Sequence, residues 1–196
     1  MVNIEYIAKT LNLLKQLRRT HYTHEITPKL HGQRVVLMGW VHSIRDHGGV
    51  LFVVLRDSHG LRQLVARKDV NPDVFRKLEN ITVESCIAAE GVVKEDPRAP
   101  GGAEVILTRV EVLAHAENPL PFPINKPVRT SFPKRIDHRH LDIRRPEVKA
   151  VFKVREEVIN AAREYLRSRG FTEIHTPKII ASATEGGAEL FALVYY

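Results

Sequence analysis

Cysteine occurs once, tryptophan once and methionine twice in the 196 residues. One thiol cannot close an internal disulfide, which excludes a small secreted scaffold held by cystines. Cys86 lies in an apolar, strand-like stretch and is expected to pack as an inert small hydrophobe. No run approaches the ~20 apolar residues that span a bilayer. The opening MVNIEYIAKTLNLLKQLRR alternates apolar and charged residues and lacks the apolar core and cleavage site of a secretory leader. These absences point to a cytoplasmic protein with no membrane partner. Histidine and cysteine do not cluster at metal-ligand spacing, and no G-x-x-x-x-G-K-[ST] phosphate loop is present, so no metal site is expected.

Acidic residues are outnumbered. Thirty Lys and Arg against 23 Asp and Glu give a formal charge of +7, with a pI near 9.7. A basic surface concentrates polyanions and speeds their association, but it does not say which one. The hydrophobic fraction of 43% is ordinary for a soluble protein and allows a real core.

Ile4 to Arg19 reads as a basic amphipathic helix, with Ile4, Ile7, Leu11, Leu14 and Leu17 on one face. From Gln33 the pattern turns to period two and β-branched runs. Strands are expected at Arg34–Arg45, Leu51–Asp57, Leu61–Ala66, Ser85–Val93 and Glu104–Ala114. Gly39 inside the first suggests a bulge or sharp coil. Between the third and fourth, Asn71 is set to cap a short helix that starts at Pro72 and buries Val74, Phe75 and Leu78. Three meandering strands, a helix and two more strands describe an OB-fold, a five-stranded all-β Greek-key barrel, although an SH3-like barrel also has five short strands. Pro119 to Arg145 carries prolines at 119, 121, 123, 127 and 133, which forbid a long helix and favour extended chain. A strong amphipathic helix then runs from Pro146 to a stop at Gly170. The expected organisation is an N-terminal extension (1–18), the barrel (19–115), a hinge (116–145) and the start of a second, α+β domain (146–196).

Three segments are more specific. GFTEIHTPKI (Gly170 to Ile179) resembles motif 1 of class II aminoacyl-tRNA synthetases. HRHLDIRRPEV (His138 to Val148) resembles the hinge-to-catalytic junction of the aspartyl, asparaginyl and lysyl subgroup. SATEGGAELF (Ser182 to Phe191) resembles the mobile substrate loop of archaeal-type aspartyl-tRNA synthetases. The likeness extends from about Arg19 to Phe191, nearly the whole chain.

That resemblance implies an aspartate–tRNA ligase that uses ATP and Mg2+ and forms a homodimer, with aspartate and tRNA(Asp), and also tRNA(Asn) in relaxed forms, as partners. It assigns anticodon contact to Arg45, Phe52 and Gln63. An aromatic face stacks on a base, an amide pairs with the mixed edge of a uracil, and a guanidinium serves phosphate or base. His42 and Pro100 match the pair found in forms that also accept asparagine tRNA. Glu185, in TEGG, matches the carboxylate that meets the substrate's α-ammonium, between glycines that let the loop move. The later motifs, whose arginines hold ATP, are absent, so the resemblance places no catalytic residue in these 196 residues and implies that they form no adenylate alone. Two alternatives stand beside this reading. One is an asparaginyl-tRNA synthetase, and the other is a non-catalytic OB-fold tRNA-binding protein.

Overall fold

A computed structural model describes residues 17–126, 129–177, 179 and 194. The expected helix at Ile4–Arg19 falls mostly outside them, and its last residues, 17–19, have no regular structure. The chain divides into two compact units, Met1–His138 and Arg139–Tyr196.

In the first unit five strands close into a ring: β1 (Arg34–Asp46), β2 (Val50–Arg56), β3 (Leu61–Arg67), β4 (Cys86–Glu95) and β5 (Ala103–Ala114), in the order β1-β2-β3-β5-β4 and back to β1. All neighbours are antiparallel except β3 and β5, which run parallel through Leu64–Val105 and Val65–Ile106. This is the OB-fold that the order of elements predicts. Helix α1 (Pro72–Glu79) begins as expected: the Asn71 side chain accepts from Val74 N at 3.1 Å, and Val74, Phe75 and Leu78 are buried. These side chains join Val35, Leu37, Val41, Leu51, Val53, Leu55, Leu64 and Val105 in one core. Full burial of each such side chain stabilises by about 1.5–3 kcal/mol before entropy is counted.

Closure depends on β1, whose first half pairs with β4 and whose second half pairs with β2. The register slips between Val41 and Ser43, so the bulge falls at His42 and not at Gly39. Gly39 has a different task. A Cβ there would collide with the carbonyl of Arg56 on the crossing strand, so only glycine permits the approach. Gly91 on β4 stands in the same relation to the Ile106 carbonyl. Cys86 opens β4, is half-buried and forms no disulfide.

The proline-rich stretch is not extended throughout. Pro133 occupies the first turn of α2 (Phe132–Asp137), where its missing N–H costs nothing, and α3 (Arg139–Asp142) follows. In the second unit α4 (Pro146–Ser168) starts on Pro146 and ends before Gly170, at φ +85°. The next segment folds back on its own helix, with Glu173 bridging to Arg163 at 2.9 Å and Arg167 at 3.3 Å. The apolar side chains of α4, expected to form a buried face, are exposed, among them Val151, Val154, Val158 and Leu166. No described helix is long and apolar enough to cross a membrane.

Candidate nucleic-acid interface

The register sets which side chains leave the core. Leu51, Val53 and Leu55 on β2 are almost fully buried, so Phe52 and Val54 face outward. Phe52 is therefore not a core phenylalanine, the default for an aromatic inside an apolar strand. It stands opposite Arg45 on β1 and opposite Val65 on β3. Gln63 is two residues from Val65, on the same face. Three adjacent strands thus bring Arg45, Phe52 and Gln63 to one concave surface of about 590 Å³. His47, Arg67, Lys94, Asp96, Arg98 and Glu104 complete its polar lining.

Within this surface most charges are already committed. Arg67 pairs with Asp69 at 3.1 Å, and Arg98 donates to Asp96 through Nε at 3.1 Å and Nη2 at 3.0 Å. Those bonds hold the Asp96 carboxyl well below the usual carboxylate range. Lys94 lies 3.5 Å from Glu104 and 3.6 Å from Asp96. Among the described residues the Arg45 side chain has no hydrogen-bond or ion-pair partner, and it is exposed. An unspent guanidinium beside a half-exposed ring suits a polyanion carrying flat bases. The ring of His47 meets Phe52 edge-on at 5.5 Å, which limits how Phe52 can turn.

Gln63 Nε2 donates to Glu104 Oε2 at 2.9 Å. An ionised carboxylate only accepts, so this bond fixes which way the amide is turned and leaves the carbonyl oxygen, on a residue only 8% exposed, as the acceptor still to be used. Glu104, Lys94, Asp96 and Arg98 escaped sequence reasoning. The only signal for Lys94, Asp96 and Arg98 was a charged loop, KEDPR, and Glu104 opened a strand whose register was not yet known.

His42 and Pro100 are not brought to this lining. His42, at the bulge, lies 3.3 Å from Arg56 Nη1 through Nδ1, and its carbonyl accepts from Asn125 Nδ2 at 2.7 Å. Arginine has no acceptor, so Nδ1 is unprotonated in this contact. Burial first, then the Arg56 charge, push the His42 imidazole below the ordinary histidine range, and Glu84 pulls the other way. Arg56 in turn grips Glu84 at 2.6 and 2.7 Å, and that carboxylate is only 2% exposed. The Pro100 carbonyl accepts at 2.7 Å from Arg62, a buried arginine that also donates to Thr23 O and Ala103 O. Glu185 lies outside the described residues. Among the described residues no group of three or more His, Cys, Asp or Glu could hold a metal ion.

Comparison with known proteins agrees with this geometry at two levels. Residues 35–113 match the family described as OB-fold nucleic acid binding domain, and residues 132–196 match tRNA synthetases class II (D, K and N). An aspartate–tRNA(Asp/Asn) ligase of Archaeoglobus fulgidus is 46% identical over 176 residues, covering 89% of this chain and 41% of that protein. An aspartate–tRNA(Asp) ligase of Pyrococcus horikoshii is 45% identical over 179 residues, with 91% and 41% covered. The solved asparaginyl-tRNA synthetase of Pyrococcus horikoshii, complexed with asparaginyl-adenylate, superposes with a TM-score of 0.80 at 40% identity, covering 92% of this chain and 41% of that one. The chain spans about two fifths of the length of these relatives. With a matched OB-fold nucleic-acid-binding domain ahead of a matched class II segment, the chain is similar in both parts to the tRNA synthetases of the D, K and N group.

Proposed function

We propose that the chain reads the anticodon of aspartate tRNA for an aspartate–tRNA ligase, and that it does so on the Arg45–Phe52–Gln63 surface. The observation that carries this is the register, which lines up an unpaired guanidinium, a half-exposed aromatic and an amide of fixed orientation on three adjacent strands. Phe52 stacks on one base and the Gln63 carbonyl accepts from a uracil N–H. Arg45 meets the backbone. The carboxylates of Glu104 and Asp96, neutralised by Lys94 and Arg98, shape the rest without repelling the phosphates.

The whole enzyme joins aspartate to tRNA in the cytoplasm as a homodimer, using ATP and Mg2+, with Glu185 on the aspartate ammonium. The part proposed for the described residues is to hold RNA. Tolerance of asparagine tRNA is part of the proposal. Because His42 and Pro100 are tied to Arg56, Asn125 and Arg62, they act by setting the shape of the strand and loop around the pocket and not by touching the base. The likeness to a solved asparaginyl enzyme keeps that relative as the second reading.

Fluorescence anisotropy of the chain with aspartate and asparagine anticodon stem-loops, and with a control lacking the middle uracil, tests this. Binding to both and loss in the control is the expected result. Phe52→Ala should weaken binding roughly 5- to 100-fold, the scale of one lost stacking contact. Equal, weak, salt-sensitive binding to all three would leave only a basic surface and end the proposal.

A further inference from the structure

Away from the pocket, at the β2–β3 turn, four side chains form a short column. The Arg19 guanidinium lies 4.5 Å from the centre of the Tyr22 ring, and the Tyr22 and His59 ring centres are 4.2 Å apart. The His59 and His24 rings stack at 4.8 Å with an interplanar angle of 19°. Arg19, His24 and His59 are exposed; the Tyr22 and His24 ring centres are only 6.4 Å apart, so the column bends sharply at His59 before it ends on the His24 ring.

The column stands on a rigid base. Thr23, fully buried, donates to Asp57 from its backbone N–H to Oδ2 and from its hydroxyl to Oδ1, each at 2.7 Å. Asp57 also accepts from the backbone N–H groups of His59 at 2.8 Å and Gly60 at 3.0 Å. One carboxylate therefore ties the segment carrying Tyr22 and His24 to the turn carrying His59. Arg19 is fixed by donating to Met38 O at 3.0 Å. Asp57 is spent on this frame, and the exposed Glu25 carboxylate accepts from the Tyr22 N–H at 2.6 Å. Beside it solvent meets flat rings and the guanidinium groups of Arg18 and Arg19. Packing does not require such an arrangement, because exposed imidazoles contribute little to a core.

We propose that this column is a second RNA contact of the barrel, resting on the anticodon reading above and taking a nucleotide that flanks the anticodon. A base stacks on the His24 end while Arg19 and the adjacent Arg18 attract phosphate. The geometry sets the division of labour. His47, Val50 and Arg67 place the pocket toward the β1–β2 end of the hairpin, and the column lies at its other end. At about 3.3 Å per residue the strand carries the β2–β3 turn roughly 15 Å or more beyond Phe52. An RNA held only at Phe52 stops short of it, whereas one that runs on along β2 toward the turn meets it.

The test uses the full 196-residue chain with two probes, the aspartate anticodon stem-loop and a short single-stranded RNA carrying the anticodon alone. The double variant His24→Ala, His59→Ala should bind the stem-loop about tenfold more weakly and the short RNA as well as the unmodified chain does. Phe52→Ala should weaken both. A His59→Phe, His24→Phe variant, which keeps flat rings, should recover most of the stem-loop affinity. Thermal melting verifies that Thr23 and Asp57 still hold the turn. Unchanged stem-loop binding in the double alanine variant would overturn the proposal, and so would equal weakening of both probes. If Phe52→Ala has no effect while the histidine variants do, the anticodon assignment fails and the column is a contact of another kind.

Discussion

At the scale of single residues, the Arg56–Glu84–His42 cluster shows how a buried charge is tolerated on a small barrel. Glu84 is held at φ +71°, a backbone region unusual for a side chain with a Cβ, and its N–H donates to Val41 O at 2.7 Å. The fork of Arg56 satisfies both carboxylate oxygens. Removing Arg56 takes two charge-assisted bonds from a carboxylate that is almost fully buried, so Arg56→Ala is expected to cost about 3–5 kcal/mol in denaturant unfolding. His42 adds a pH dependence. Its folded imidazole protonates at lower pH than the unfolded value of 6.5. Below that value the unfolded chain binds the extra proton and the folded chain does not, so stability falls as the pH drops toward the folded value. Unfolding midpoints between pH 7 and 5 should therefore fall less steeply in His42→Gln than in the unmodified chain. An unchanged slope would show that burial and the Arg56 charge do not hold the ring neutral.

Among elements, legibility followed the clarity of the local signal. Strand positions, the Asn71 cap and the Pro146 start were readable because period-two runs, cap residues and prolines act locally. The facing of β2 was not readable. VLFVVLR is apolar at six of its seven positions, so either parity could have been inward, and only pairing with β1 and β3 decides that Phe52 faces out. The bulge was displaced for a similar reason. Glycine in a strand signals either an extra residue or a close backbone approach, and Gly39 is the second kind. Arg62 breaks the pattern, an arginine buried at the barrel's end because three carbonyls converge on it. Glycine at position 91 gives an element-level prediction. Its Cβ would strike the Ile106 carbonyl, so Gly91→Ala must part β4 from β5. An overpacking cost of about 1–3 kcal/mol or more is expected, with loss of strand signal in circular dichroism on mild heating. A melting temperature equal to that of the unmodified chain would contradict the closure as described.

For the whole molecule, charge and family likeness point the same way, toward a nucleic acid. The net charge of +7 draws any polyanion, and the OB-fold match identifies the surface class. Neither picks out a base. In the proposed reading that discrimination rests on one amide, whose direction Glu104 fixes. The most direct measurement is the ratio of dissociation constants for the aspartate anticodon stem-loop and its middle-uracil control, compared between the unmodified chain and Gln63→Ala at one salt concentration. The ratio should be large in the unmodified chain and approach unity in the variant, while the salt dependence of both stays the same. A ratio that Gln63→Ala leaves unchanged would contradict the assignment of the Arg45–Phe52–Gln63 surface as the anticodon reader.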